Sequence, residues 1–453
     1  MAETATEIVA AHRAGTQTPE QTLARSYARL AARGDAAMFI SLRPQDEALA
    51  EARALTDKSL PLHGVPVAIK DNIDVAGMPT TAACPAYAYT PQHDASVVAR
   101  LRAAGAIVIG KTNLDQFATG LVGVRSPYGI PRNAMRDDLI PGGSSSGSAV
   151  AVAAGVVPLA LGTDTAGSGR VPAGLNNIVG LKPSLGLVST YGVVPACRTL
   201  DCVSIFALTV DDAWRALEAI AGPDSKDAYS RQRPLGAPGA MAKAKIGRPR
   251  PGQLLFFGDL AFEAGYEKAL ERLARLGSTL VEIDIEPFYE TARLLYEGPW
   301  VAERTLTVRS LLASDPDALH PVTREIILSG LRPTAMDAFA AFYKLEELRR
   351  VADHTFTQID ALALPTAPTA YTVAQVLADP IQLNSRLGTY TNFVNLLDLC
   401  GLAVPAAITG DGIPFGITLL APGGNDAKLA SIGRAFHADT KLPLGALPET
   451  QAA

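Results

Sequence analysis

The spacing of apolar positions changes repeatedly along this chain, and the changes mark out alternating elements. "HGVPVAIK", residues 63–70, alternates at every second position and predicts a strand that ends in a lysine. "ASVVARLRAAGAIVIGKTN", 95–113, predicts helix, turn and strand. A small-residue helix follows at 146–155, and "VPLALGTD" (157–164) fits a buried strand. "DDAWRALEAIAG", 211–222, predicts a helix with an aspartate start and a glycine stop. Residues 259–285 read as helix then strand, and "IDALALPTAPTA" (359–370) as another buried strand. Residues 1 to about 57 read as helices. The one shift in composition is at about 222–253, rich in Gly, Pro and Lys/Arg, which predicts a long surface loop around a short strand at most. No internal repeat interrupts the alternation. Helices alternating with apolar strands predict an α/β fold around a largely buried sheet.

Composition narrows this picture. A chain of 453 residues allows two or three domains, or one large α/β sheet domain. Its net charge of −5 and the lack of a basic run argue against nucleic acid as a partner. The longest uncharged apolar run, 149–162, is too short to span a bilayer and is broken by Pro158. "MAETATEIVAAHRAG" has no positive leader before an apolar core, so the expectation is a soluble, cytoplasmic protein without a membrane partner. The four cysteines form no CxxC pair and the six histidines are scattered, so neither a disulfide framework nor a metal site is expected. No cofactor is expected either.

The candidate chemistry gathers around "PGGSSSGSAVAVAAG", residues 141–155. A linker would sit between polar, low-complexity neighbours, yet an apolar pattern follows here. A phosphate loop would need a lysine after Gly147, where Ser148 stands. A glycine-rich turn at a helix start could still bind an anion. The third reading, part of an active site, gains weight from "GVPVAIKDNID" (64–74) and "GTDTAGSGRVPAG" (162–174). Three strand ends would then deliver Lys70, the serines 144–146 and Ser168 to the place where open α/β sheets bind ligands.

Together these stretches resemble the amidase signature family, hydrolases with a Ser–cis-Ser–Lys triad. The resemblance covers most of the chain and is densest from 64 to 210, with "LPTAPT" (364–369) and "YTNFVNLLDLCGLAVP" (390–405) extending it. It implies a large mixed β-sheet core covered by helices on both faces, in a single amidase domain over 1–453. It makes Ser168 the nucleophile, Ser144 the cis-serine after a cis Gly143–Ser144 bond, and Lys70 the base. "GGSSSG" stands where the family often has GGSSGG, and Ala166 where it often has glycine. The chemistry agrees with the roles. A serine hydroxyl needs a base, no histidine lies in the three motifs, and burial on an apolar strand would leave Lys70 neutral. The N–H groups of Thr165, Ala166, Gly167 and Ser168 can form an oxyanion hole. Asp164 is expected to orient that turn or the cis-serine loop, unless it is an ordinary turn aspartate. Ser145 and Ser146 are expected to hydrogen-bond the loop, Cys197 and Cys202 to be buried thiols, and His63 and His93 to lie at the surface or in loops.

Within the family, "TGLVGVRSPYG" (119–129), "PACRTLDCVSIFALTVDDAW" (195–214) and "LYEGPWVAER" (295–304) resemble the allophanate hydrolases. That resemblance implies a small, planar, anionic amide substrate, broken down with release of ammonia in urea or triazine nitrogen metabolism. It places Tyr296 and Arg304 at the substrate, since an arginine fork matches a carboxylate bidentately. Arg304 could instead pair with Glu297 or Glu303 on a helix surface, and Arg125 is a weaker candidate clamp. Longer allophanate hydrolases carry a further C-terminal domain, and from "LPETQAA" the expectation is a chain without it. Another small-amide amidase, a non-enzymatic anion-binding module and an A-type amidotransferase subunit stay open as alternatives. A homodimer is compatible with all of them.

Overall fold

The computed structural model describes residues 3–241 and 243–446. The stretch 447–453, on which the expectation of an amidase-only chain rests, lies outside the described residues.

Eleven strands form one mixed sheet. In chain order they are β1 (Phe39–Leu42), β2 (Pro66–Lys70), β3 (Ile107–Thr112), β4 (Leu159–Asp164), β5 (Val179–Lys182), β6 (Cys202–Ala207), β7 (Lys245–Pro249), β8 (Thr279–Ile283), β9 (Ala361–Pro365), β10 (Leu399–Ile408) and β11 (Pro414–Pro422). Their order across the sheet is β1-β3-β2-β4-β6-β5-β10-β11-β9-β7-β8. β2 runs parallel to both β3 and β4, while β4 and β6 are antiparallel.

The central strands are apolar at nearly every position because both sheet faces are covered. Val67 and Ile69 of β2 pack into one apolar cluster while Ala68 packs into another on the opposite face. Leu159 and Leu161 against Ala160 in β4, and Val203 and Ile205 against Phe206 in β6, divide the same way. This is the α/β architecture expected, with helices on both faces.

Two local expectations meet the structure differently, and a third holds. The N-terminal segment is not wholly helical, because "FISL" forms β1 and pairs with β3 between the helices Pro19–Arg33 and Gln45–Ala54. Four residues are too few for periodicity to reveal an edge strand. The helix Val210–Ile220 starts from Thr209, whose hydroxyl accepts from the Asp212 N–H, and it ends on Ala221 rather than on glycine. Asp212 turns away, accepting from the N–H groups of Ala5 and Thr6 and so docking the first helix. The 222–253 region holds one short strand, β7, as expected.

Because β2 and β4 are parallel neighbours, their C-terminal ends lie side by side. Lys70 closes β2, Asp164 closes β4, and the turn to Ser168 follows directly. The helix Ser146–Ala153 packs on β4 and β2 and brings the serine run to the same edge.

Candidate active site

Lys70 is completely buried, and its ammonium nitrogen meets two hydroxyls rather than a carboxylate. Nζ donates to Ser144 Oγ and to Thr163 Oγ1, each at 2.8 Å. Burial lowers its pKa to about 7, against the opposing pull of Asp115, Asp164 and Asp201. A lysine in this setting is part neutral near pH 7 and can accept a proton.

The peptide bond Gly143–Ser144 is cis. Asp115 holds the loop around it. Its backbone N–H donates to the Ser144 carbonyl at 3.0 Å, and its carboxylate accepts from the N–H groups of Gly123 and Arg125 at 2.9 and 3.0 Å. A Cβ at Gly143 would stand 2.1 Å from Asp115 Oδ2, so this approach requires glycine. Ser145 Oγ donates to the Thr163 carbonyl and Ser146 Oγ to the Asn113 carbonyl, the loop-fastening work expected of them.

The turn after β4 is organised by Asp164. Its carboxylate takes Arg170 in a bidentate pair, Nε to Oδ2 and Nη2 to Oδ1, both at 2.9 Å. It also accepts from the N–H groups of Gly167 (2.9 Å) and Gly169 (3.0 Å). Burial alone would raise the Asp164 pKa, but Arg170, Lys182 and the Gly169 N–H bring it below the usual carboxylate range. Asp164 therefore orients the turn, as one of its two readings had it. It also corrects the expected oxyanion hole, since the Gly167 N–H points at Asp164. The N–H groups of Thr165, Ala166 and Ser168 have no acceptor among the described residues.

Ser168 is 2 % exposed, and its hydroxyl makes no hydrogen bond among the described residues. The structure thus joins Lys70 to Ser144, and no hydrogen bond links Ser144 to Ser168 among the described residues.

Four supports carry no signal in the sequence motifs. Thr163 is the second partner of Lys70. Asp201, within "CRTLDC", accepts from Thr165 Oγ1 at 2.5 Å and from the N–H groups of Ala196 and Cys197. Thr391 Oγ1 donates to the Ala166 carbonyl at 2.7 Å, and Asn395 Nδ2 to the Asp164 carbonyl at 2.8 Å. Cys197 and Cys202 are buried free thiols, as expected. His63 lies in a turn, as expected, and is buried there against His12 rather than at the surface.

Arg304, in the helix Val301–Thr307, turns inward. It is 3 % exposed, and Nη1 donates to the Ala118 carbonyl at 3.2 Å and to Thr119 Oγ1 at 3.1 Å. Nη2 donates to Tyr296 Oη at 3.2 Å, and the guanidinium lies 5.4 Å from the Tyr296 ring centre. Neither Glu297 nor Glu303 pairs with it; Glu303 instead accepts from the Thr199 N–H at 3.0 Å. Its charge is close enough to act on both Lys70 and Asp201. Arg125, also buried, donates to the Thr119 and Pro380 carbonyls, so two guanidinium groups flank Thr119. Next to Tyr296 opens a cleft of about 430 Å³, lined also by Gln253, Leu255, Tyr289, Gly388 and Asn392. Lys70 and Ser168 do not line it.

A buried amine, two serines and free N–H donors on the edge of a mixed sheet define the amidohydrolases as the class. The chain belongs to the Amidase family, whose model matches residues 22–430. It is 47 % identical over 405 residues to urea amidolyase of Saccharomyces cerevisiae, an alignment covering 88 % of this chain and 22 % of that protein. It is 38 % identical over 414 residues to the A-type subunit of the glutamyl-tRNA(Gln) amidotransferase of Symbiobacterium thermophilum, covering 84 % of each. The solved structure of Kluyveromyces lactis allophanate hydrolase superposes with a TM-score of 0.91 at 44 % identity, over 97 % of this chain and 73 % of that one. The chain spans about a fifth of the length of the urea amidolyases it matches. Among the described residues no helix is long and apolar enough to cross a membrane.

Proposed function

We propose that the protein hydrolyses allophanate through an acyl-enzyme, with Ser168 as nucleophile, Ser144 as proton relay and Lys70 as base. Ser168 Oγ attacks the terminal amide carbonyl while its proton passes through Ser144 to neutral Lys70. The negative oxygen that forms is met by the N–H groups of Thr165, Ala166 and Ser168. Collapse breaks the C–N bond, and the proton returns through Ser144 to the departing nitrogen, which leaves as ammonia. Water then attacks the acyl-Ser168 by the same relay and releases N-carboxycarbamate.

The observation that carries the substrate choice is Arg304. Arg304 is buried and makes no ion pair among the described residues, which leaves its charge for a substrate carboxylate. With Tyr296 alongside, it fits one carboxylate, which allophanate has and simple aliphatic amides lack. The similarity to urea amidolyase and allophanate hydrolase supports the same reading. Four buried free cysteines suit a reducing cytoplasm.

The test is ammonia release from allophanate, malonamate, glutamine and aliphatic amides, with Ser168→Ala as control. Preference for allophanate is expected. Preference for glutamine would point to an amidotransferase-type role, and no turnover of any amide would leave an anion-binding module.

A further inference from the structure

The cleft beside Tyr296 holds one side chain that the mechanism leaves idle. Among its neutral polar residues, Gln253, Tyr289, Ser385, Thr389 and Tyr296 all hydrogen-bond within the protein. Asn392 does not. Its backbone N–H donates to the Gly388 carbonyl at 3.0 Å, but its side-chain amide makes no hydrogen bond among the described residues, and Oδ1 is buried without a donor. An acceptor in this state destabilises the fold, and a ligand that brings a donor removes the cost. Gly388 makes room for the amide. A Cβ there would stand 2.4 Å from Nδ2 and 2.6 Å from Oδ1, so the amide packs directly on the glycine. A half-turn about the Cβ–Cγ bond exchanges its two ends and puts Oδ1 in the place of Nδ2.

The place of Asn392 in the fold matches one part of the substrate. The neighbouring Thr391 reaches the turn to Ser168. Its Oγ1 donates to the Ala166 carbonyl at 2.7 Å, and a Cβ at Gly167 would stand 2.4 Å from that oxygen. On the other side the cleft wall continues to Tyr296, whose hydroxyl accepts from Arg304. Residues 391 and 392 thus span the ground between the groups that would hold the substrate's carboxylate and the turn that would attack its amide carbonyl. In allophanate the atom between those two ends is a nitrogen that carries one N–H. We propose, on the reading that allophanate is the substrate, that Asn392 is a specificity-determining residue whose Oδ1 accepts this N–H. A site built around a substrate N–H rejects an analogue that lacks it, because the acceptor is then left unpaired. Malonamate is such an analogue, with a methylene in place of the N–H and the same carboxylate and primary amide.

The experiment measures kcat/KM for allophanate and for malonamate, by ammonia release, in wild type, Asn392→Leu, Asn392→Asp and Gly388→Ala. Leucine keeps the branched shape and removes the acceptor. Asn392→Leu should lose about tenfold on allophanate, the worth of one neutral hydrogen bond, and change little on malonamate. Its thermal midpoint should not fall, because the amide makes no hydrogen bond among the described residues. Gly388→Ala pushes the amide aside and should shift the preference the same way. Asn392→Asp keeps an acceptor but sets a negative charge near the substrate's carboxylate, so both anions should slow while the preference for allophanate survives. Equal losses on both substrates in Asn392→Leu, or no loss on either, would overturn the proposal alone. A wild type that releases ammonia from another amide but none from allophanate would overturn it together with the proposed function.

Discussion

The Thr165 hydroxyl donates to the buried carboxylate of Asp201 across 2.5 Å, tying the start of the nucleophile turn to the residue just ahead of β6, the antiparallel neighbour of β4. Among the described residues, Thr165 is also one of the three whose N–H groups have no acceptor in the turn to Ser168. The tether holds the residue that carries this N–H in place.

Thr165→Val removes the tether and leaves the N–H itself in place. A lost oxyanion donor costs roughly 2.7–4 kcal/mol, and a misaimed one less. The expected result is a kcat about ten- to a hundredfold lower with little change in KM, because the donor acts on charge that appears after binding. Thr165→Ser keeps the hydroxyl and should recover most of the rate. Equal losses in both variants would show that the methyl group matters and the hydrogen bond does not.

The pH profile follows from Lys70. Its folded-state pKa is lowered to about 7, and the proposed base must be neutral. The rate should therefore rise with pH through about 7 and level off above it. Arginine cannot lose its proton, so Lys70→Arg should be inactive. The same shift affects stability. Between about pH 7 and the ordinary lysine range the unfolded chain holds a proton that the folded chain has released, so this contribution to stability grows as pH rises. The difference in unfolding free energy between Lys70→Met and wild type should change in wild type's favour from pH 7 to 9. A difference independent of pH would mean that Lys70 does not titrate there.

Arg170 and Asp164 form a fully buried pair. Arg170→Ala strands the carboxylate that orients the turn to Ser168, and breaking such a pair typically costs about 3–5 kcal/mol. Arg170→Lys should restore little, since an ammonium cannot make the two-pronged contact. Asp164 is held below the usual carboxylate range, so its contribution is present above the ordinary aspartate pKa and is lost on acidification below it. Chemical denaturation of both variants, at pH 7 and at pH 3, reads this directly, and the gap to wild type should narrow at the lower pH.

The parts of the site legible in the sequence are those whose signal is local. Lys70 ends a recognisable strand, Ser144 follows two glycines, and Ser168 lies in a Gly/Ser turn between a buried strand and a helix. What stays hidden depends on pairing across the sheet. Asp201 reaches Thr165 because β6 lies antiparallel to β4, which places Cys202 opposite Asp164. No spacing rule joins residues so far apart in the chain. Asp115 escapes a reading by period because its work is done on backbone N–H groups of an irregular loop. The same limit applies to Gly167, whose N–H is available by position in the turn and is taken by the Asp164 carboxylate in the fold.

The substrate is tested at Arg304 and Tyr296. Truncating the charged partner of a buried carboxylate typically costs about 2–5 kcal/mol. Arg304→Ala should therefore lower kcat/KM on allophanate by roughly two to three orders of magnitude, at about 1.4 kcal/mol per decade. Arg304→Lys should recover part of this, because a point charge remains without the planar fork. Tyr296→Phe removes one hydrogen bond to a charged group, about 1.5–3 kcal/mol, and should cost less. The structure adds a complication that the neutral amides resolve. Arg304 also braces Ala118 and Thr119, in the loop that Asp115 ties to the cis-serine turn. If Arg304 acts by pairing the substrate's charge, slow turnover of a small neutral amide should barely change in Arg304→Ala. If it acts by bracing that loop, the neutral amide and allophanate should fall together. In that case the carboxylate clamp passes to Arg125, whose guanidinium also donates to Thr119 and whose Nε has no partner among the described residues.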